Sequence, residues 1–140
     1  MKDIGAPYNI YGNRWSQTVG REIFPILIQM AIDRQSPITY GELVDKAEAA
    51  GIEFKTAHRG LRARSMRWPL GCVLRTLFEY QEESCIKIPH LTTIVVNQDT
   101  RRPTYYSKGH GWSDDKIRAE QAAVYNFERW EHIRQAILRD

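Results

Sequence analysis

Ile38-Thr39-Tyr40-Gly41-Glu42-Leu43 is the sharpest structural signal in this chain of 140 residues. Thr39 and Glu42 have the spacing of a capping box, in which each side chain caps the backbone N–H of the other residue. Ile38 and Leu43 stand where a hydrophobic staple belongs. The spacing predicts a helix from Tyr40 to Ala50, closed by Gly51 at the left-handed cap position. Downstream, Pro69 stands at a favoured helix start. Leu70, Val73, Leu74, Leu77 and Phe78 then follow the i, i+3, i+4, i+7, i+8 rule of an apolar stripe. That stripe predicts a core-facing helix with Cys72, Arg75, Thr76 and Glu79 on its other faces.

Between these two helices the periodicity disappears. Residues 52–68 read as a long loop with at most one helical turn, and long loops inside compact domains are often functional. The charge there is one-signed. From Phe54 to Phe78 there are Lys55, Arg59, Arg62, Arg64, Arg67 and Arg75, and no Asp or Glu. The net charge of +3 says little alone, but its distribution says more. Residues 1–53 hold five basic and seven acidic side chains, residues 54–110 ten and four, and residues 111–140 five and six. A basic middle third between near-neutral ends points to an anionic partner.

The flanks complete the predicted fold. A first helix lies within residues 14–35, with Val19, Ile23, Phe24, Leu27, Met30 and Ala31 at helical spacing. Pro25 either kinks it or moves its start to near Glu22. After Ile88-Pro89, the β-branched run Leu91 to Val96, the turn residues Asn97 to Thr100 and the extended Thr104-Tyr105-Tyr106 predict a β-hairpin. Arg101 and Arg102 then sit at or near its tip. Ser113 with Asp114 and Asp115 opens a helical region over 113–139, broken near Asn126. The expected fold class is α+β: a winged helix-turn-helix-like core over 38–111 with additional N- and C-terminal helices, in one domain.

That layout, with its motifs, is similar to a known family. Ile38-Thr39-Tyr40-Gly41-Glu42-Leu43, Leu70-Gly71-Cys72-Val73-Leu74 and Ile88-Pro89-His90 resemble, in order, the C-terminal DNA-binding domain of O6-alkylguanine-DNA alkyltransferases and alkyltransferase-like proteins. The resemblance implies a winged-helix scaffold and DNA contact. It does not imply alkyl transfer. No Cys follows Pro89, Pro69 or Leu70 stands near the place of the family's recognition-helix Arg, and the inter-helix loop is longer. The Tyr-Gly-Glu-Leu and Val-Val-Asn layout also resembles small bacterial proteins of no known function.

Other chemistry is thinly represented. Cys72 and Cys85 form no Cys-x-x-Cys, so neither a disulfide framework nor a zinc cluster is indicated. A thiolate at Cys72 would be favoured near a helix N-terminus, but lone helical cysteines usually pack as small apolar residues. His90, Asp99 and His110, or His90 with Asn97 and His110, do not reproduce a nuclease metal site. Gly109-His110-Gly111 is too short to cradle a phosphate, and no motif calls for a cofactor. Trp68 and His58 could stack on bases, although the size of Trp68 favours a buried anchor pinning the loop. No apolar run reaches the roughly 20 residues that cross a bilayer, and no secretory signal is visible. The expected location is the cytoplasm.

The leading expectation is therefore a non-enzymatic protein that binds nucleic acid, duplex DNA before RNA. The predicted contacts are Lys55, Arg59, Arg62, Arg64 and Arg67 on the loop, Arg75 on the second helix, and Arg101 and Arg102 on the hairpin. The alternatives are an inhibitor or adaptor whose basic face meets an acidic protein surface, and a hydrolase built on His90 or Cys72. The final helices could also pair two copies of the chain.

Overall fold

Buried apolar residues from almost every element meet in one cluster that extends from Ile10 to Ile137. The computed structural model describes residues 8–54, 58–103 and 112–138. These residues form an α+β structure that is mostly helical, with a small two-stranded sheet. In chain order come α1 (Trp15–Ile32), β1 (Ile38–Thr39), α2 (Tyr40–Ala49), α3 (Arg59–Ser65), α4 (Arg67–Ser84), β2 (Val95–Val96), α5 (Asp114–Asn126) and α6 (Trp130–Leu138). A 3-10 turn over Leu91–Ile94 leads directly into β2. None of the described helices is long and apolar enough to cross a membrane.

The first helix runs unbroken through Pro25. The proline removes one i to i−4 hydrogen bond. Burial of Val19, Ile23, Phe24, Leu27, Ile28, Met30 and Ala31 on one flank offsets that loss. At its start, Gln17 Oε1 accepts the Arg14 N–H at 3.0 Å. The second helix follows its sequence signals closely. Thr39 N–H donates to Glu42 Oε1 at 2.9 Å and Glu42 N–H to Thr39 Oγ1 at 3.1 Å. At the other end Gly51 has φ +97°, with Gly51 N–H on the Glu48 carbonyl and Ile52 N–H on the Ala47 carbonyl. That is the paired bonding of a Schellman motif, which favours glycine at its left-handed position.

The fourth helix is the centre of the molecule. Six consecutive residues, Pro69 to Leu74, are buried, and Thr76 and Leu77 with them. Helix α1 lies against it at Gly20, where an added Cβ would stand 3.0 Å from Ile10 Cγ2, 3.4 Å from the Pro69 carbonyl oxygen and 3.6 Å from Cys72 Cβ. Cys72 and Thr76, expected on the faces of α4 away from the core stripe, are buried as well. The segment before α1 and α1 itself cover the second flank of α4, and Ile10 N–H donates to Thr76 Oγ1 at 3.0 Å. Pro69 lies in the first turn of α4 rather than at its first residue, among the N–H positions that lack helical partners in any case.

Two further expectations change. Residues 59–65, expected as loop with at most one helical turn, form the two-turn helix α3, which packs on α2 and α4. Its sequence, Arg59-Gly60-Leu61-Arg62-Ala63-Arg64-Ser65, has no apolar stripe, so only its neighbours reveal it. The extended run expected from Leu91 instead begins as a 3-10 turn. Thr93 donates to the His90 carbonyl through both its N–H, at 3.0 Å, and its hydroxyl, at 2.7 Å. Local bonds of this kind compete with strand pairing. Strand β2 pairs in parallel with β1, Ile38 beside Val95 and Thr39 beside Val96, so this pair is not a hairpin.

The turn after β2 matches its sequence. Asn97 N–H donates to the Arg102 carbonyl at 2.9 Å, and Asn97 Oδ1 accepts the Asp99 N–H at 2.8 Å. The second hairpin arm, Thr104-Tyr105-Tyr106, lies outside the described residues. At the C-terminal end, α5 and α6 separate after Asn126, near the expected break. Trp130 is buried at that corner, with Nε1–H on the Val124 carbonyl at 2.8 Å and its ring edge-on to Phe127 at 4.7 Å. Helix α6 turns Trp130, Ile133 and Ile137 into the common core.

Candidate nucleic-acid interface

The junction of α3 and α4 decides which basic side chains point outward. Met66 turns the corner and is fully buried. It follows the inward phase of α4, because Met66, Leu70 and Val73 are spaced i, i+4, i+7. Its carbonyl accepts the Leu70 N–H at 3.0 Å. Arg64, Arg67 and Trp68, on either side of Met66 in sequence, are exposed. The buried anchor expected at Trp68 is therefore Met66. Trp68 is two residues beyond Met66, roughly 200° around a helix of 3.6 residues per turn, and its side chain is 51 % exposed. The Arg67 guanidinium lies over the Trp68 ring, 5.5 Å from its centroid. His58, just before α3, is also exposed.

The other basic residues are arranged differently. Arg62 is half-buried, and its Nε lies 3.2 Å from Glu48 Oε2 of α2, an ion pair that ties α3 to α2. The segment without acids in sequence thus meets an acid in space. Arg101, in left-handed conformation at φ 57°, is close enough to Glu42 to act on its charge. The Thr39 backbone N–H, then the Thr39 hydroxyl, hold the Glu42 carboxyl below the usual range, and Arg101 adds to the effect. Arg102 is bound to Asp114 at the start of α5 and donates to the Trp112 carbonyl at 2.7 Å. It joins the turn to α5. Arg75 is half-buried beside Cys72. Arg59 opens α3 with its side chain outside the described residues, and Lys55 lies outside them altogether.

A second cluster surrounds His90. Its imidazole is edge-on to Phe78 of α4 at 5.0 Å and stacked on Trp112 at 5.3 Å, with Lys116 Nζ over the other ring at 4.5 Å from the Trp112 centroid. His90 N–H donates to Glu120 Oε2 at 2.7 Å, and Gln121 Nε2 donates to the Thr93 carbonyl at 2.7 Å. These contacts fasten α5 over the 3-10 turn. Burial lowers the His90 imidazolium below its ordinary value, although the Glu120 carboxylate pulls the other way. No signal in the sequence marks His90 and Trp112 as a stacked pair.

The thiol of Cys72 is buried in the α1–α4 contact, and burial pushes its pKa up, against the smaller effects of Ser16 and Arg75. Such a thiol is a poor nucleophile. Cys85 is exposed and closes α4 in left-handed conformation. Among the described residues no three His, Cys, Asp or Glu side chains are placed to hold a metal ion. His110 lies outside them.

Among the described residues, the exposed members of the expected set are Arg64, Arg67 and Arg101, and the first two flank the corner that carries Trp68. Helical phase could have found it, by extending the α4 stripe back from Leu70 to Met66. No known family, curated protein or solved structure matches this chain.

Proposed function

We propose that this protein binds nucleic acid without catalysis, through the α3–α4 corner of a winged-helix-like scaffold. The observation that carries the reading is the exposed Trp68 with Arg67 over its ring, next to α3 with its exposed Arg64. Arginine neutralises phosphate and releases counterions, while an indole offers a stacking face. The scaffold reading rests on the succession of α2, α3 and α4, followed by β2 and the turn 97–102. Lys55 and Arg59, earlier in the same stretch without acids, belong to the proposed contact set.

The test is binding of labelled random-sequence oligonucleotides to the full chain over a series of salt concentrations. Affinity falls with salt, and Arg64→Ala reduces the slope of log K against log salt by about 0.7 on single strands or about 0.9 on duplex. No binding at low salt overturns the proposal. A second reading is favoured by one observation: Arg62 and Arg102 are paired with Glu48 and Asp114, which weakens the positive field. A compact Trp–Arg spot of this kind also suits an acidic protein surface. Nuclease treatment before a pull-down separates the two, because only a protein partner survives it.

A further inference from the structure

We infer that the nucleic acid taken by this corner is unpaired: a single strand whose base stacks on Trp68 while Arg64 and Arg67 hold the flanking phosphates. The inference rests on the nucleic-acid reading and narrows it.

Two observations lead to it. The helix that would enter a major groove has no continuous face to offer. Pro69 to Leu74 are all buried, and Arg75 and Phe78 are half-buried. A groove-reading helix needs several turns of exposed side chains along the base edges, and α4 exposes only its first two residues and, near its far end, the acidic Glu82 and Glu83. What those residues present is a flat aromatic ring, 51 % exposed, with a guanidinium at one side. In a duplex the faces of the bases are stacked on each other, and only their edges reach the grooves. An indole face can be matched only by a base that has left that stack.

The charges fit the same ligand. A single strand bends so that phosphates reach cations on either side of a stacked base. Arg64 and Arg67 flank Met66 in sequence, near the end of one helix and at the start of the next. Met66 itself is buried, so the corner is held from below and the ring is not free to fold into the core. Stacking on one base is sequence-tolerant, since every base has a π-face. Sugar identity is not read at this ring, so DNA and RNA single strands share the recognised chemistry.

The experiment is an anisotropy titration of the full chain with labelled oligo-dT, oligo-U and a mixed-sequence duplex of equal length, alongside tryptophan emission. Trp68→Leu, Arg64→Ala and the unaltered chain are compared, with thermal melts to verify folding. Single strands of one or both sugars are expected to bind more tightly than duplex and to quench tryptophan emission. Trp68→Leu is expected to abolish that quenching and to weaken single-strand binding by about 5- to 150-fold, the equivalent of one stacked base. Preference for oligo-dT over oligo-U, or the reverse, identifies the natural strand. Duplex binding equal to or tighter than single-strand binding overturns the inference but leaves the nucleic-acid reading intact. So does a salt-dependent, Arg64-sensitive single-strand affinity that Trp68→Leu does not change. Failure of all three nucleic acids to bind at low salt overturns both.

Discussion

Helix α4 contains two regions with opposite environments only one residue apart. Arg67 and Trp68 stand in solvent, whereas Pro69 to Leu74 are closed in by α1 and the rest of the core. The exposed tip carries cations and an indole. The buried middle carries aliphatic side chains, one thiol and the close approach of Gly20. Helical rotation alone cannot produce this contrast, since a rotating stripe would expose part of every turn. It arises because the middle is covered on two flanks and the tip on only one, where Met66 enters the core. The division has a consequence for mutation: the middle should govern stability and the tip should govern binding.

The largest effect is expected in the buried middle. Leu70→Ala should cost about 2–5 kcal/mol, as for other fully buried leucines, and urea denaturation measures it. Next comes the α1–α4 contact. Gly20→Val places two methyl groups where a single Cβ already comes within 3.0 Å of Ile10, and overpacking of this kind costs about 1–3 kcal/mol. A stability unchanged by Gly20→Val would show that the two helices can separate there, and would weaken the contrast between middle and tip.

A pH-dependent effect follows from the far end of α4, where Phe78 touches His90. Burial holds the His90 imidazolium below its ordinary 6.5, so the unfolded chain takes up this proton first. Its contribution is fully present above pH 6.5 and is lost as pH falls from 6.5 toward the lowered value in the folded protein. Glu120 reduces the loss, while Lys116 and Lys87 add to it. Urea midpoints at about pH 7.5 and about pH 5.5 should differ, on either side of the ordinary histidine range. His90→Phe should reduce the difference. The smallest stability change belongs to the tip. Trp68→Leu should alter the midpoint by no more than about 0.5 kcal/mol, as for exposed positions generally. A loss as large as that of Leu70→Ala would make Trp68 part of the core and remove the tip as a binding site.

Local chemistry was legible wherever it was self-contained. Thr39, Glu42 and Gly51 define α2 through bonds that span only a few residues, and the structure contains those bonds. The same holds for Ser113, whose hydroxyl accepts the Lys116 N–H at 3.1 Å to open α5. Helix α3 was not legible, because a two-turn helix without an apolar stripe depends on α2 and α4 for its stability. Nor was the partner of β2: Leu91 to Val96 is β-branched enough for a strand, but which strand it meets is a long-range matter. The candidate site was half legible. Arg64 and Arg67 were in view. The size of Trp68 favours an inward place, whereas the phase of Met66 and Leu70 directs it outward.

By itself, then, the sequence determined the class of structure, the position of α2 and α4, the turn at Asn97 and the excess of arginine in the middle of the chain. These depend on neighbours in sequence, on capping, φ preference and helical period, whose energies operate over one or two turns. Tertiary structure alone decided which arginines remain outside. Glu48 and Asp114 lie far from Arg62 and Arg102 along the chain or across a turn, and folding brings them together. Folding likewise buried six successive residues of α4 and left its first two in solvent. Charge and burial are properties of a surface, and a surface exists only once the helices have packed.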